Sequence, residues 1–542
     1  MKWLPIILIP LAIFAAGAGA VTGNDGDDRL QERCDRLGQG QLQSVIEFLS
    51  ADALEGRAPG SRGGEVAENY MHALFKGFGL QSRFQPFTLH GFRLAALNAA
   101  AGGRDLAFGE EIVGSHVGPE GEFSLEGDAV FAGFGIRTEL WEWDDYKHAD
   151  LLGKVLLVRV NDPGLFAPRI FNGRALTYFG RWTYKIEEAT RAGARAILLI
   201  HTTFTAGYGW DVVRNSWSGE ELHLPADLDN GPLFRGWVRE DCLRSLLAGR
   251  KLDLDRLYAR SLRRDFRPVD LGFKVRISGH NASRTLAARN VIAELPGSSG
   301  KSIVLSAHID HLGRDERRAG DQIFNGAIDN GAAVAALAMV AKVYAEAGRE
   351  LHFGLTFLAC QAEEAGLLGA KYFVSRADPR EIVANINFES TPVWEKSPDM
   401  FAEGAQYSTL EGMLRQVAAG QGLNYTPFSM SDQGLFFRSD QFPFAQAGIP
   451  ACWLSAGERT VGGRNRLAEF FKGGAYHTVD DEFDPAWELQ GLRQTIRLAV
   501  GLIEHLQAIR AIPRWKGRPP FPLTNGPPLA GIDSGRDLWY KN

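Results

Sequence analysis

Ser302-Ile303-Val304-Leu305-Ser306-Ala307-His308-Ile309-Asp310-His311 is the stretch on which the fold turns. Its apolar run is that of a strand covered on both faces, as in a parallel sheet, and it ends in imidazole and carboxylate. The same texture recurs downstream. Residues 352–360 read as a second buried strand, 383–388 as a third and 451–454 as a fourth. Helical patterns lie among them: an Ala- and Leu-rich segment at 331–347 and a closing amphipathic segment at 489–509. Strands alternating with helices predict an α/β fold with a largely parallel sheet and helices on its faces.

Polar chemistry clusters just past these strands, where open α/β sheets place their sites. The first strand runs into His308, and Asn325-Gly326-Ala327-Ile328-Asp329-Asn330-Gly331 precedes the Ala-rich helix. The second leads into Ala362-Glu363-Glu364-Ala365-Gly366, and the third ends in Asn387-Phe388-Glu389-Ser390. Tyr476-His477-Thr478-Val479-Asp480-Asp481 follows much later. Imidazole and carboxylate suit zinc, and a catalytic zinc needs only three protein ligands and an open water position. His308, Asp329, Glu364, Glu389 and His477 could therefore hold two metals, with the short Asp329 as the shared carboxylate. Two metals can clamp one water and lower its pKa towards neutrality. Glu363 then remains as a general base, taking the proton from water and returning it to the leaving amine. Asp310, two residues beyond His308, is placed to fix that imidazole's tautomer.

Taken singly, each piece has a plainer reading. A histidine after a strand is usually hydrogen-bonded core or surface, paired glutamates usually open a helix, and Asp-Asn-Gly is usually a turn. Their joint position at successive strand ends favours a site. The other ten of the 12 histidines read as structural or surface residues.

The rest of the chain narrows the class. At 542 residues it exceeds one core, and 45% hydrophobic with 23% charged residues is ordinary for a folded protein. A net charge of −6 offers no basic footprint for nucleic acid. Met1-Lys2, an apolar stretch at 4–16 and Ala18-Gly19-Ala20 form a secretory signal with cleavage expected after Ala20. Export to a periplasmic or extracellular space follows, and no later stretch reads as a membrane span, so no stable membrane insertion is expected. The four cysteines form no C-x-x-C pair and read mainly as buried thiols. The division expected is a signal at 1–20, an N-terminal part of the α/β domain at 30–119, a β-rich insert at 120–265, the main α/β segment at 266–512 and a Pro/Gly-rich tail at 513–542. Helices are expected across 42–54 and 66–78, and strands at 128–135, 154–160 and 194–200 within the insert.

At Ser306–Gly313, Asn325–Asn330, Ala362–Gly369 and Tyr476-His477 the chain resembles the co-catalytic di-zinc aminopeptidase family, relatives of bacterial leucyl aminopeptidases and glutamate carboxypeptidase. Leu54-Glu55-Gly56-Arg57 and Arg438-Ser439-Asp440-Gln441 are also similar to that family's text. The resemblance implies a three-layer α/β/α sandwich with a mixed, largely parallel central sheet. It implies two Zn2+ ions, with His308 and Glu389 on one, Glu364 and His477 on the other, and Asp329 between them. It gives Glu363 the base role, lets Tyr476 hydrogen-bond the developing oxyanion, and marks the insert as similar to a protease-associated domain beside the cleft. Peptides are the implied substrates. Two departures stand out: Glu389 where many bacterial members have Asp, and Gln441 where many have His.

Two rival readings remain at this stage. One is a carboxypeptidase acting on acidic C-terminal residues, which needs clustered cations such as Arg438 or Arg464 in its pocket. Asp440, able to attract a substrate ammonium, argues instead for an aminopeptidase. The other is a metal-free receptor of the same fold, which should have lost its coordinating side chains; this chain keeps all five.

Overall fold

In the computed structural model, strand Ser302–His308 pairs in parallel with Gly354–Cys360 on one side and Ile382–Asn387 on the other. The model describes residues 25–217, 219–225 and 234–523, so the expected signal and the end of the tail lie outside the described residues. Ala451–Ala456 adds a fourth parallel strand beyond Ile382–Asn387. The strand order across this centre is therefore fourth, third, first, second in sequence. Antiparallel neighbours close both sides: Asp399–Glu403 beside the fourth strand and Val269–Leu295 beside the second. The result is a mixed, largely parallel sheet.

Side-chain alternation splits each central strand between two cores. Ile303, Leu305 and Ala307 join Leu355, Phe357 and Ala359 under helices Arg62–Gly77, Ala333–Ala347 and Gln490–Ile509. Val304, Leu358 and Cys360 face the opposite way, against Phe373 of Leu368–Arg376 and Phe442 and Phe444 of Gln441–Gln446. Helices thus cover both faces. Ala333–Ala347 is helical because Ala, Leu and Met pay little side-chain entropy, and it stops at Gly348, whose φ of +60° suits glycine. With its preceding turn it forms Ala327–Ala347, long and apolar enough to cross a membrane, contrary to the expectation that no later stretch qualifies. It is 94% buried inside the molecule, which accounts for its composition.

Two long strands, absent from the expectations drawn from the sequence, connect the halves of the chain. Gln81–Ala101 and Val269–Leu295 pair antiparallel from Gln81↔Glu294 to Ala101↔Val275. Val269–Leu295 also pairs with Gly121–Phe131, which begins a second parallel group with Val155–Arg159, Ala196–His201 and Phe234–Arg239. Ile112–His116 closes that group. The strand expected over 128–135 ends at Phe131, where Gly133 and Gly135 adopt positive φ. The helix expected over 42–54 ends at Leu49, and Leu54 belongs to a short 3-10 segment. The four cysteines are buried and form no disulfide with one another.

Candidate active site

The registers explain why distant residues meet. His308 pairs level with Cys360, and Ser306 with Asn387, so three chain exits leave the sheet at one edge. His308 Nε2 lies 3.3 Å from Asp329 Oδ1 and 3.4 Å from Glu389 Oε1. His477 Nε2 lies 3.3 Å from Asp329 Oδ2 and 3.2 Å from Glu364 Oε2. Asp329 therefore stands between two imidazoles, one on each oxygen. Glu363 Oε2 is 3.9 Å from His308 Nε2. All five expected donors and the expected base converge.

His308 Nδ1 sits 3.2 Å from the Asp310 carbonyl. A carbonyl can only accept, so Nδ1 carries a proton and Nε2 is the nitrogen that faces the carboxylates. The Asp310 carboxylate was expected to do this, but it lies 3.8 Å from the ring. It instead accepts from the backbone N–H groups of Glu363 and Glu364, at 3.1 and 3.2 Å, and so shapes the turn that carries both.

Three further residues brace the loops. Asp481 accepts from the N–H groups of Ile328 and Asp329 at 2.8 and 2.9 Å. Asn330 donates to the Phe388 carbonyl and accepts from the Ser390 N–H. Arg57 is 1% exposed and donates to the carbonyls of Leu49, Ile309, Asn325 and Gly326, tying the His308 and Asp329 loops together. Burial brings its pKa down to about 10, with Asp310 and Asp481 opposing. An arginine in a turn-rich loop carries no sequence mark of this role. His311, taken with the structural histidines, is fully buried with Nδ1 2.8 Å from Glu364 Oε1 and no partner on Nε2. His311, Asp329 and Glu364 form one donor group able to hold a metal, and His308, Asp329 and Glu389 another. His477 faces Asp329 and Glu364 from the open side, so the group that includes His311 has two imidazoles available.

Two expectations find another setting. Asp440 is 0% exposed, against Cys360, with no hydrogen-bond donor on either oxygen, and burial pushes its carboxyl up to about 7. A buried acid at this position offers no face to a substrate ammonium, so the substrate-binding role fails. Gln441 is also fully buried, accepting from Asn387 and donating to the Phe436 carbonyl, so it lines no pocket. Its neighbour Ser439 donates to Glu389 Oε2 at 2.6 Å, and the Trp453 indole N–H donates to the Glu389 carbonyl. These contacts seat the glutamate that departs from the commoner aspartate.

The electrostatics are those of a cluster short of positive charge. Burial alone would lower the His308 pKa, but Glu389 and Glu363 hold it well above its ordinary value. Burial likewise opposes, and Glu364 and Asp329 outweigh it, in raising His477 to about 10. Burial, with Glu364 and Glu389 adding to it against His308, raises Glu363 well above the carboxylate range. Carboxylates and imidazole lone pairs aimed at common points are the donor set of a divalent transition metal. The residues fit such ions.

Residues 290–501 match the family model described as Peptidase family M28. Over 173 residues the chain is 31% identical to leupeptin-inactivating enzyme 1 of Streptomyces exfoliatus, covering 31% of this chain and 36% of that protein. Over 133 residues it is 29% identical to aminopeptidase YwaD of Bacillus subtilis, covering 23% and 27%. The matched stretches thus span about a third or less of these relatives' lengths. A solved structure, the aminopeptidase from Aneurinibacillus sp. strain AM-1, aligns with a TM-score of 0.51 at 18% identity, covering 94% of this chain and 98% of that one. That likeness is one of fold.

Proposed function

We propose, with residues 290–501 as a peptidase segment of family M28 for premise, that this chain is a zinc-dependent aminopeptidase. One relative, YwaD, is named an aminopeptidase, and the observation that carries the reading is Asp329 between His308 and His477, with Glu389 and Glu364 completing either side. In this proposal His308, Asp329 and Glu389 hold one zinc, and Asp329, Glu364 and His477 the other. Zinc there supplies Lewis acidity, lowering the pKa of water from about 15.7 to roughly 7.

The chain's own residues do the rest. Asp310 and Asp481 grip backbone N–H groups and hold Glu363, Glu364 and Asp329 in place before substrate arrives. Glu363 Oε2 accepts the proton of the attacking water and delivers it to the leaving amine. Tyr476, stacked on the His477 ring with centroids 3.9 Å apart, turns its hydroxyl to the oxyanion that develops on the peptide carbonyl. The insert borders the approach, since Gly207 shares a cavity with Arg438 and Tyr476; we read it as a protease-associated domain that shapes access.

Metal analysis with a substrate panel tests the proposal. Two zinc ions per chain and hydrolysis of aminoacyl-nitroanilides support it. A chain that retains no metal is the receptor-like alternative, and cleavage of N-blocked peptides alone makes it a carboxypeptidase. Export belongs to the same reading: the secreted protein should begin at Val21, and one that keeps Met1 overturns it.

A further inference from the structure

Beside Tyr476 the cleft between insert and peptidase segment widens into a cavity of about 420 Å³, bordered by Gly207, Leu435, Arg438, Phe471, Lys472 and Tyr476. That volume falls in the range of small-ligand sites. Its charge is one-sided. Arg438 and Lys472 both line it, and among the described residues neither has an acidic side chain within ion-pair distance. Arg181, the residue before helix Trp182–Arg191 of the insert, comes close to Arg438, Tyr178, Tyr208 and Tyr476. Its Nε is buried with no hydrogen-bond partner.

Several guanidinium groups elsewhere in the molecule are paired with carboxylates. Arg284 meets Glu220, Arg289 meets Glu68, and Arg464, the other candidate cation of the sequence, is spent on Glu469 at 2.8 Å. Two guanidiniums and an ammonium brought together without an anion repel one another. A buried donor without an acceptor also costs free energy unless something supplies one. The fork of an arginine is shaped for a planar, two-oxygen anion. Tyr476 fixes where such an anion would be. Its ring lines the cavity on one side and stacks on His477 on the other, so the cavity begins one ring's thickness from the zinc donors.

We propose that this cleft is a carboxylate subsite, in which Arg438 takes the substrate's carboxylate, Lys472 attracts it at the mouth and Arg181 of the insert supports it from behind. The inference rests on the aminopeptidase reading and adds a substrate class: peptides that carry a carboxylate within a residue or two of the bond cut. That carboxylate is either the α-carboxylate of a short peptide or an acidic side chain.

Hydrolysis and binding are measured together on the zinc-loaded protein, with Ala-Ala, Ala-Ala-amide and Ala-Asp-amide as probes. Calorimetry on the Glu363→Gln protein reports affinity without turnover. Ala-Ala should exceed Ala-Ala-amide roughly ten- to hundredfold in kcat/KM and in affinity, the span of a charge-assisted hydrogen-bond pair. Arg438→Gln should collapse that ratio towards one, Arg438→Lys should restore part of it, and Arg181→Gln should reduce it less than Arg438→Gln does. Ala-Asp-amide behaving like Ala-Ala assigns the subsite to side chains; behaving like Ala-Ala-amide, it assigns the subsite to the terminus. Equal values for acid and amide in the parent protein, or a ratio untouched by Arg438→Gln, overturn the proposal. An Arg438-dependent preference in affinity with no hydrolysis of any probe keeps the subsite and removes the aminopeptidase.

Discussion

Two networks of buried charge, one in the insert and one at the strand ends of the α/β segment, are handled differently. In the insert, Asp145 accepts from the N–H groups of Phe134 and Ile136 and the indole of Trp143, and Asp162 from Gly164 and both donors of Thr177. Lys185 donates to the Phe179 carbonyl, and Arg159 lies over the rings of Phe134, Phe166 and Tyr258 while bonding to Ser261. Each of these four charges is met by neutral groups of the protein, and their network is closed. At the strand ends, the carboxylates of Asp329 and Glu364 meet only imidazole nitrogens. Desolvating such a set is costly unless cations join it. A closed network is architecture; an open one is a site.

Glu363→Gln tests the sharpest side of that contrast. Turnover should fall about 10²–10⁴-fold while metal content stays near that of the parent, because the amide keeps the shape but cannot take a proton. Full activity in this variant would remove Glu363 as the base. Glu364→Ala should act on the metal instead, emptying one position and losing activity that added zinc restores only in part. Metal content unchanged by Glu364→Ala would show that His311, Asp329 and His477 suffice without it.

The next comparison sets one brace against another. Arg57→Ala leaves four buried backbone carbonyls without their donor and loosens both the His308 and Asp329 loops. Destabilisation of about 3–5 kcal/mol should accompany weaker metal retention. Asp162→Ala strips the acceptor from three buried donors in the insert, at roughly 1–3 kcal/mol for each left unsatisfied. Its melting temperature should fall with metal content unchanged. Equal metal loss in both variants would mean that the two networks are one.

The same division explains what could be read from the sequence. His308, Glu364 and Glu389 were legible because each stands just past a buried apolar run, and Asp329 and His477 because their residue types are few and chemically specific. Arg57, Asp481, Asn330 and His311 were not assigned their roles, since a lone Arg, Asp, Asn or His has a dozen ordinary uses and only the folded chain shows which carbonyl or carboxylate it meets. Val269–Leu295 starts with period-two burial, yet its polar middle hides how far it runs; Gln81–Ala101 is punctuated by Pro86 and Gly91, which locally read as turns. Their mutual pairing, a long-range fact, keeps both extended. Asp440 was read by charge where burial decides, and the interior took it.

The smallest expected effect separates imidazoles. Glu389 and Glu364 make His308 and His477 harder to deprotonate, whereas His116, at the end of the strand Ile112–His116 that closes the second parallel group, is brought down to about 4 by burial alone. It is 5% exposed, stacked on Phe123 with centroids 3.8 Å apart, and its Nδ1 has no partner. An unfolded histidine titrates near 6.5. Between those values the unfolded chain binds a proton that the folded chain refuses, so this contribution to stability is whole above about pH 6.5 and is lost as pH falls towards 4. Melting curves of the parent and His116→Gln should therefore lie closest together in acid and diverge in the parent's favour as pH rises from 4.5 to 7. A constant separation across that range would mean that His116 binds its proton equally well in the folded and unfolded chains, and a separation that narrows as pH rises would mean that negative charge holds the proton in the fold.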